Sequence, residues 1–154
     1  MIKIGDALPD MVVATTQEPA LNLKNLAGES LVLYFYPKDN TPGCTTQGQG
    51  FRDAYPEFKK LNCEILGVSR ESLKSHQNFI NKHEFPFDLI SDPDELLCQK
   101  FDVIKEKSMY GKTYLGIERS TFIFDAKGKL RDEIRKVKVK GHIEDVLERV
   151  KALG

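Results

Sequence analysis

A continuous apolar run, LVLYFYP, occupies residues Leu31–Pro37 and constrains the fold more than any other feature. The run has no polar alternation, which is typical of a strand buried on both faces in an α/β sheet. A second run of this kind, CEILGVS, spans Cys63–Ser69, and a helical pattern lies between the two from about Pro42 to Leu61. Strand, helix and strand in this order predict a crossover unit with two parallel strands.

The following segments continue the α/β pattern. The stretch SRESLKSHQNFINKHEF predicts a helix, with Ser69 or Ser72 as its cap. FPFDLISD predicts a short strand, and the next segment predicts a short helix opened by Asp92 and Pro93. Residues 104–118 lack periodicity and are predicted to form a loop, which in a compact domain is often functional.

The last third of the chain predicts two further elements. STFIFDAKGKLRDEIR has the pattern of a hairpin around the turn Asp125–Gly128. HIEDVLERVKALG predicts an amphipathic helix ending at Gly154, with Ile143, Val146, Leu147 and Val150 inward. We therefore expect a single α/β domain over residues 1–154, with a parallel core and an antiparallel hairpin added late.

Composition and charge argue against several classes of partner. Lysine plus arginine equals aspartate plus glutamate at 23 each, so no global field favours nucleic acid or an anionic membrane. The basic stretch RKVKVKGH, Arg135–His142, is better explained by a solvated strand face than by a binding patch. No apolar run approaches the roughly 20 residues that span a bilayer, and the start MIKIGDALPD lacks the core of a secretion signal. We expect a cytoplasmic protein.

The three cysteines, Cys44, Cys63 and Cys98, are too few and too scattered for a disulfide scaffold. The sequence contains no CxxC motif, and its histidines do not pair with the cysteines at zinc-finger spacing. It also contains no GxGxxG or Walker loop. We therefore expect neither a bound metal nor a cofactor.

Cys44 stands where a helix should begin, directly after Pro42 and Gly43. A thiol attacks as its thiolate, and the unpaired backbone N–H groups and dipole of a helix start stabilise negative charge there. The position alone leaves two interpretations open: an activated nucleophile, or a small buried hydrophobic residue.

The surrounding residues favour the nucleophile. Pro37, Thr41 and Cys44 spell PxxxTxxC after the buried strand, which resembles the active-site motif of the peroxiredoxins. The fuller run YPKDNTPGCT is similar to the subclass known as bacterioferritin comigratory protein, or Q-type peroxiredoxin. Further similar segments are LKNLAGESLVLYFYPK, EILGVSRES, LISDPDELLCQKF and EKSMYGKTYLGIERSTFIFD, so the resemblance covers nearly the whole chain in order.

This resemblance implies a thioredoxin-like fold, with a central mixed sheet flanked by helices, and the reduction of hydrogen peroxide and alkyl hydroperoxides. Cys44 would be the peroxidatic cysteine, which becomes a sulfenic acid. Thr41 would hydrogen-bond the sulfur and a peroxide oxygen, and Pro37 would shield the site and fix the loop. Arg119 matches the arginine of the family and would stabilise the thiolate and the departing oxygen. Gln47 either orients Arg119 or is a solvated helix residue.

The resolving cysteine of many subclass members is absent. Its position five residues after Cys44 holds Gln49, and the next helix, about Ser72 to Lys82, contains none. Cys63 and Cys98 lack the local signs of a reactive thiol, and core packing explains them better. The chain thus resembles a one-cysteine monomer resolved by an external thiol, with thioredoxin, or glutaredoxin and glutathione, as reductant.

Two readings of the weak helix after Cys44 stay open. Gly48 and Gly50 each cost a helix interior about 1 kcal/mol relative to alanine, and Pro56 interrupts the hydrogen bonding unless the helix bends or breaks. Either these residues ease local opening, so that another thiol can reach the sulfenic acid, or the glycines allow close packing against the sheet.

Two other functions are compatible with an α/β domain that carries a reactive cysteine. A thiol–disulfide oxidoreductase on the same fold would need two neighbouring cysteines, and the missing CxxC motif counts against it. A peroxide sensor that passes oxidation to a partner protein would use the same Cys44, so the sequence leaves this alternative open.

Overall fold

The computed structural model describes residues 1–153, and its centre is a seven-stranded mixed sheet. The predicted helix end at Gly154 lies outside the described residues. Besides one short 3₁₀ helix, Leu23–Leu26, the elements are β1 Val12–Thr15, β2 Leu21–Asn22, β3 Ser30–Phe35, α1 Pro42–Lys60, β4 Cys63–Ser69, α2 Leu73–His83, β5 Leu89–Ser91, α3 Leu96–Lys100, β6 Ile104–Met109, β7 Lys112–Ile117, β8 Ser120–Phe124, β9 Leu130–Ile134 and α4 His142–Lys151.

The strand order is β2-β1-β5-β4-β3-β8-β9. β4 runs parallel to both β3 and β5, whereas β8 pairs antiparallel with β3 and with β9. The predicted parallel crossover and the late hairpin are therefore confirmed. Ser72 caps α2, because its hydroxyl accepts a hydrogen bond from the Ser75 N–H at 3.1 Å.

Two hydrophobic clusters lie on the two faces of the sheet, as the alternation of side chains along β3 requires. Leu31, Leu33 and Phe35 belong to the cluster that also contains residues of α3. Val32 and Tyr34 belong to the other cluster, to which α1, α2 and α4 contribute. β3 is thus buried on both faces, which explains its uninterrupted apolar sequence.

The prediction of a loop over residues 104–118 was wrong. β6 and β7 form a separate antiparallel hairpin, with Met109 paired to Lys112 at its tip. The tip exposes apolar side chains, including Tyr110 at 97% exposure. Because this hairpin does not bury one face in the core, its sequence lacks the apolar alternation by which a strand is recognised.

Two boundaries also differ from the prediction. α3 begins at Leu96 and not at Asp92 and Pro93, since Glu95 takes a left-handed backbone conformation with φ 62°. The Asp92 carboxylate instead accepts hydrogen bonds from the N–H groups of Leu97 and Cys98. β9 ends at Ile134, so the basic stretch is a loop leading into α4 and not a strand face. Within residues 1–153, no helix is long and apolar enough to cross a membrane.

The glycines of α1 are explained by close packing. A Cβ at Gly48 would lie 2.5 Å from the Phe85 ring, and one at Gly50 would lie 2.6 Å from Ile143 Cγ1. α1 also continues without a break through Pro56. The structure thus favours the packing reading, although the partners are side chains from the segment after α2 and from α4, and not the sheet.

Gly48→Ala is therefore expected to destabilise the protein despite its better helix propensity. Overpacking costs about 1–3 kcal/mol, which outweighs the gain of about 1 kcal/mol from alanine. Urea unfolding measures the change. In a Phe85→Leu background the smaller side chain should reduce the cost of Gly48→Ala. Stabilisation by Gly48→Ala in the wild type would restore the local-opening reading.

Candidate active site

Cys44 lies just beyond the carboxyl end of β3, in the first turn of α1. Pro42 occupies the start of the helix, where its missing N–H costs nothing, and Thr41 is the N-cap residue. The side chain of Cys44 is only 2% exposed. The thiol therefore combines a position at a helix N-terminus with almost complete shielding from water.

Arg119 reaches the thiol because of the sheet topology. β8 runs antiparallel to β3 with Ser120 opposite Phe35. Arg119, the residue before β8, therefore sits at the same edge of the sheet as Cys44. Its Nη2 lies 3.4 Å from Cys44 Sγ, and its Nη1 donates a hydrogen bond of 2.6 Å to Gln47 Oε1. Gln47 is fully buried, so it orients the guanidinium and is not a solvated helix residue.

Gly43 has a role at the site that the sequence did not reveal. A Cβ at this position would lie 3.2 Å from Arg119 Nη2. The glycine thus leaves room for the guanidinium to pass over the helix start and meet the sulfur. In the sequence, only its position between Pro42 and Cys44 could have indicated that this glycine makes room at the site.

Thr41 and Pro37 lie in the segment that joins β3 to α1. The Thr41 hydroxyl donates a hydrogen bond of 2.8 Å to the Lys38 carbonyl oxygen, which directs its proton into the loop. Its oxygen remains an acceptor beside the helix start. Pro37 is half-buried and lies two residues after the end of β3. Both residues belong to the segment that leads to Cys44, and among residues 1–153 neither forms a hydrogen bond with its sulfur.

A second cation approaches from the hairpin. Lys107 of β6 is half-buried, and burial lowers its pKa, with a further lowering from the nearby Arg119 charge. The negative charge of a Cys44 thiolate acts in the opposite direction. The hairpin that was predicted to be a loop thus adds positive charge to the surroundings of the thiol.

Tyr34 of β3 provides an apolar wall on the inner side. Its ring packs 4.7 Å from the Phe51 ring, and its hydroxyl is buried without a hydrogen-bond partner among residues 1–153. Burial, reinforced by the charge of Cys44, raises the pKa of Tyr34 far above its usual value. The tyrosine therefore stays neutral, and the charges at the site act in a poorly hydrated environment.

The other two cysteines are remote from Cys44. Cys98 belongs to the hydrophobic cluster on the opposite face of the sheet. Cys63 begins β4 and pairs with Ser30, whereas the other end of β3 leads to Cys44. Burial raises the pKa of Cys63 to about 12 and also raises that of Cys98. Both thiols are therefore poor nucleophiles, as their sequence context indicated.

Comparison with known proteins agrees with this geometry. Residues 4–133 match the AhpC/TSA family. The chain belongs to that family. It is 51% identical over 152 residues to peroxiredoxin Bcp of Xanthomonas campestris, covering 99% of this chain and 95% of that protein. It is 45% identical to peroxiredoxin Bcp of Bacillus subtilis over 153 residues, covering 99% and 98% of the two chains.

Solved structures give the same result for the fold. A structure of peroxiredoxin Q from Xanthomonas campestris superposes with a TM-score of 0.88 at 53% identity, covering 94% of each chain. A structure of the bacterioferritin comigratory protein from the same organism, described with its alkyl peroxide reduction activity, gives a TM-score of 0.89 at 52% identity and covers 96% and 98%. The predicted membership of the Q-type peroxiredoxins and their thioredoxin-like fold are confirmed.

Proposed function

We propose that this protein is a thiol-dependent peroxidase that reduces hydrogen peroxide and alkyl hydroperoxides through Cys44, with an external thiol as reductant. The observation that carries the proposal is the contact of 3.4 Å between Arg119 Nη2 and Cys44 Sγ at the start of α1. A buried thiol in contact with a guanidinium is suited to attack as a thiolate. The named activity of the relatives, peroxiredoxin and alkyl peroxide reduction, supports the same reaction.

In the first step, the Cys44 thiolate attacks one peroxide oxygen and the O–O bond breaks. The sulfur gains that oxygen as a sulfenic acid, and the other oxygen leaves as water or an alcohol after taking a proton. Arg119 donates toward the oxygen on which negative charge develops, and Gln47 keeps the guanidinium in place. The Thr41 oxygen accepts a hydrogen bond from the O–H group of the bound peroxide, which keeps its proton, and Pro37 limits the access of water.

In the second step, an external thiol attacks the sulfenic sulfur and releases water, forming a mixed disulfide with Cys44. A second thiol then displaces Cys44 as a thiol, so that two thiols are oxidised to a disulfide for each peroxide reduced. Thioredoxin, or glutaredoxin with glutathione, is the proposed source of these thiols. The protein is proposed to act as a monomer.

The placement of the cysteines supports an external reductant. Cys63 lies at the start of β4, whereas Val68, near the other end of the same strand, pairs with the last residue of β3, beyond which Cys44 lies. At about 3.3 Å per residue the distance from Cys63 to Val68 is roughly 16 Å, whereas the Cα atoms of a disulfide lie within about 7 Å of each other. The sheet itself separates Cys44 from Cys98. Neither cysteine reaches Cys44 in the folded chain.

A peroxide-consumption assay tests the proposal. Run separately with thioredoxin, with glutaredoxin and glutathione, and with dithiothreitol, it should show steady turnover with at least one reductant. A single stoichiometric burst with every reductant would instead favour the alternative of a peroxide sensor that relays oxidation to a partner. The absence of any peroxide consumption would contradict both.

Gln49→Cys should convert the protein to a two-cysteine enzyme. Residues five apart in a helix are separated by about 7.5 Å along the axis, so a bond to Cys44 requires the first turns to unwind. Oxidation of the variant should give an intramolecular disulfide and faster turnover with thioredoxin. Gln49→Ser is the matched control and should behave like the wild type. A Gln49→Cys variant that accumulates only sulfenic acid would show that these turns do not open.

A further inference from the structure

A buried group of polar side chains lies beside the active-site loop and has no part in the reaction described above. Its centre is Asp39, within the motif segment Pro37–Cys44, and His76 in the first turns of α2. The side chains are 1% and 0% exposed, and His76 Nδ1 lies 2.7 Å from Asp39 Oδ2. Buried charges of this kind are costly unless they are paired, so the pair calls for an explanation.

The hydrogen bonds define the charge state of the pair. His76 Nε2 lies 2.9 Å from the Ile90 carbonyl oxygen, which only accepts, so this nitrogen carries a proton. The Tyr36 hydroxyl donates to Asp39 Oδ1 at 2.6 Å, and its single proton is therefore not available to His76. One proton therefore lies between His76 Nδ1 and Asp39 Oδ2, so the pair is net neutral and is joined by a short hydrogen bond. Burial alone would raise the pKa of Asp39, but the hydrogen bonds from His76, Tyr36 and Ser75 hold it below its usual value.

The same contacts join the active-site loop to two other elements. Through Asp39, the loop is held to two residues of α2, His76 and Ser75. The Ser75 hydroxyl donates a hydrogen bond of 2.7 Å to Asp39 Oδ2. Through His76, it is held to Ile90 of β5. The next residue, Asn40, has φ 62°, so the loop turns sharply here, immediately before the cap of α1.

We propose that Asp39 and His76 are positioning residues that form a latch: they fasten the loop Pro37–Thr41, which leads directly into the first turn of α1, to α2 and β5. The proposal rests on the function proposed above. Closed, the loop keeps Cys44 beside Arg119 for attack on peroxide. Open, it lets an external thiol reach the sulfenic acid, which is otherwise buried. The latch therefore sets the balance between the attack of Cys44 on peroxide and the attack of an external thiol on the sulfenic acid.

The test compares Asp39→Asn and His76→Gln with the wild type. Both substitutions keep polar side chains of similar size and remove the Asp39–His76 pair. We expect the amide hydrogens of residues 41–47 to exchange at least tenfold faster, because the loop opens more often. Oxidation of Cys44 by peroxide should slow by about tenfold or more, while the reaction of preformed sulfenic acid with a small thiol such as dithiothreitol should become faster. Opposite changes in the two steps are not expected from a general loss of stability.

Asp92→Asn is the matched control. Asp92 is also a buried carboxylate, but it accepts hydrogen bonds from backbone N–H groups of α3 and does not touch the loop. It should leave the exchange at residues 41–47 unchanged. If Asp39→Asn or His76→Gln fails to fold, Ser75→Ala removes one hydrogen bond at the half-buried rim of the latch and should give the same changes on a smaller scale.

Unchanged exchange at residues 41–47 in the folded variants would overturn the latch. So would exchange that rises equally in all elements, because the pair would then stabilise the fold in general. Slowing of both chemical steps together would likewise overturn it. Hydrogen exchange needs no peroxide chemistry, so a failure of the proposed function, seen as a wild type that does not react with peroxide, is distinguishable from a failure of the latch.

Discussion

Cys44→Ser is expected to abolish peroxide reduction, with a loss of roughly 10³-fold or more, because it removes the attacking atom. A serine hydroxyl at the same place is not ionised at neutral pH and cannot form a sulfenic acid. The measurement is peroxide consumption with dithiothreitol as reductant, with circular dichroism to show that the variant is folded.

Cys63→Ser and Cys98→Ser are the controls. Both cysteines are buried at a distance from Cys44, so both variants should keep most of the activity when they are folded. Full activity in Cys44→Ser would remove Cys44 from the mechanism. Loss of activity in folded Cys63→Ser or Cys98→Ser would show that a second thiol takes part.

Arg119→Ala should slow the attack of peroxide on Cys44 by about 10²–10³-fold, the usual effect of removing one donor that stabilises developing negative charge. Arg119→Lys keeps a positive charge but loses the two-pronged geometry by which Arg119 contacts both Cys44 and Gln47, so an intermediate rate is expected. Stopped-flow measurement of a single oxidation step isolates this effect from the later reaction with thiol.

Arg149→Ala provides the control for this substitution. The Arg149 guanidinium also forms hydrogen bonds and ion pairs, but with Asp132 and Asp145, away from the thiol. Its loss should leave the oxidation rate unchanged. Gln47→Ala should have a smaller effect than Arg119→Ala, and the two effects should not add, because Gln47 acts through Arg119. A wild-type rate in Arg119→Ala would exclude the arginine from the chemistry.

The central strands of the fold could be predicted because each of them is a continuous apolar run in the sequence. β3 and β4 are buried strands of a parallel pair, and such strands leave an uninterrupted apolar sequence. The hairpin of β6 and β7 could not be found in this way, because its strands pair only with each other and its tip lies in solvent. Local pattern carries no signal for a strand without a buried face.

Some residues of the site could likewise be found from the sequence, and others could not. Cys44 was found from its position at a helix start together with the PxxxTxxC motif, and Arg119 was found only through the resemblance to the family. The proximity of the two residues follows from the antiparallel pairing of β3 and β8, which joins residues far apart in the chain. The buried pair of Asp39 and His76 was missed altogether. Hydrophobic patterning assigns polar residues to the surface, and only the tertiary structure shows that these two neutralise each other in the interior.

Mass spectrometry of the wild-type protein after one equivalent of hydrogen peroxide tests the central claim most directly. The proposed mechanism predicts that Cys44 gains one oxygen atom, reacts with a dione that traps sulfenic acids, and forms no bond with Cys63 or Cys98. Added thiol should then give a mixed disulfide at Cys44. An intramolecular disulfide between Cys44 and either other cysteine, formed in high yield by the monomer, would contradict the account and identify a resolving cysteine within the chain.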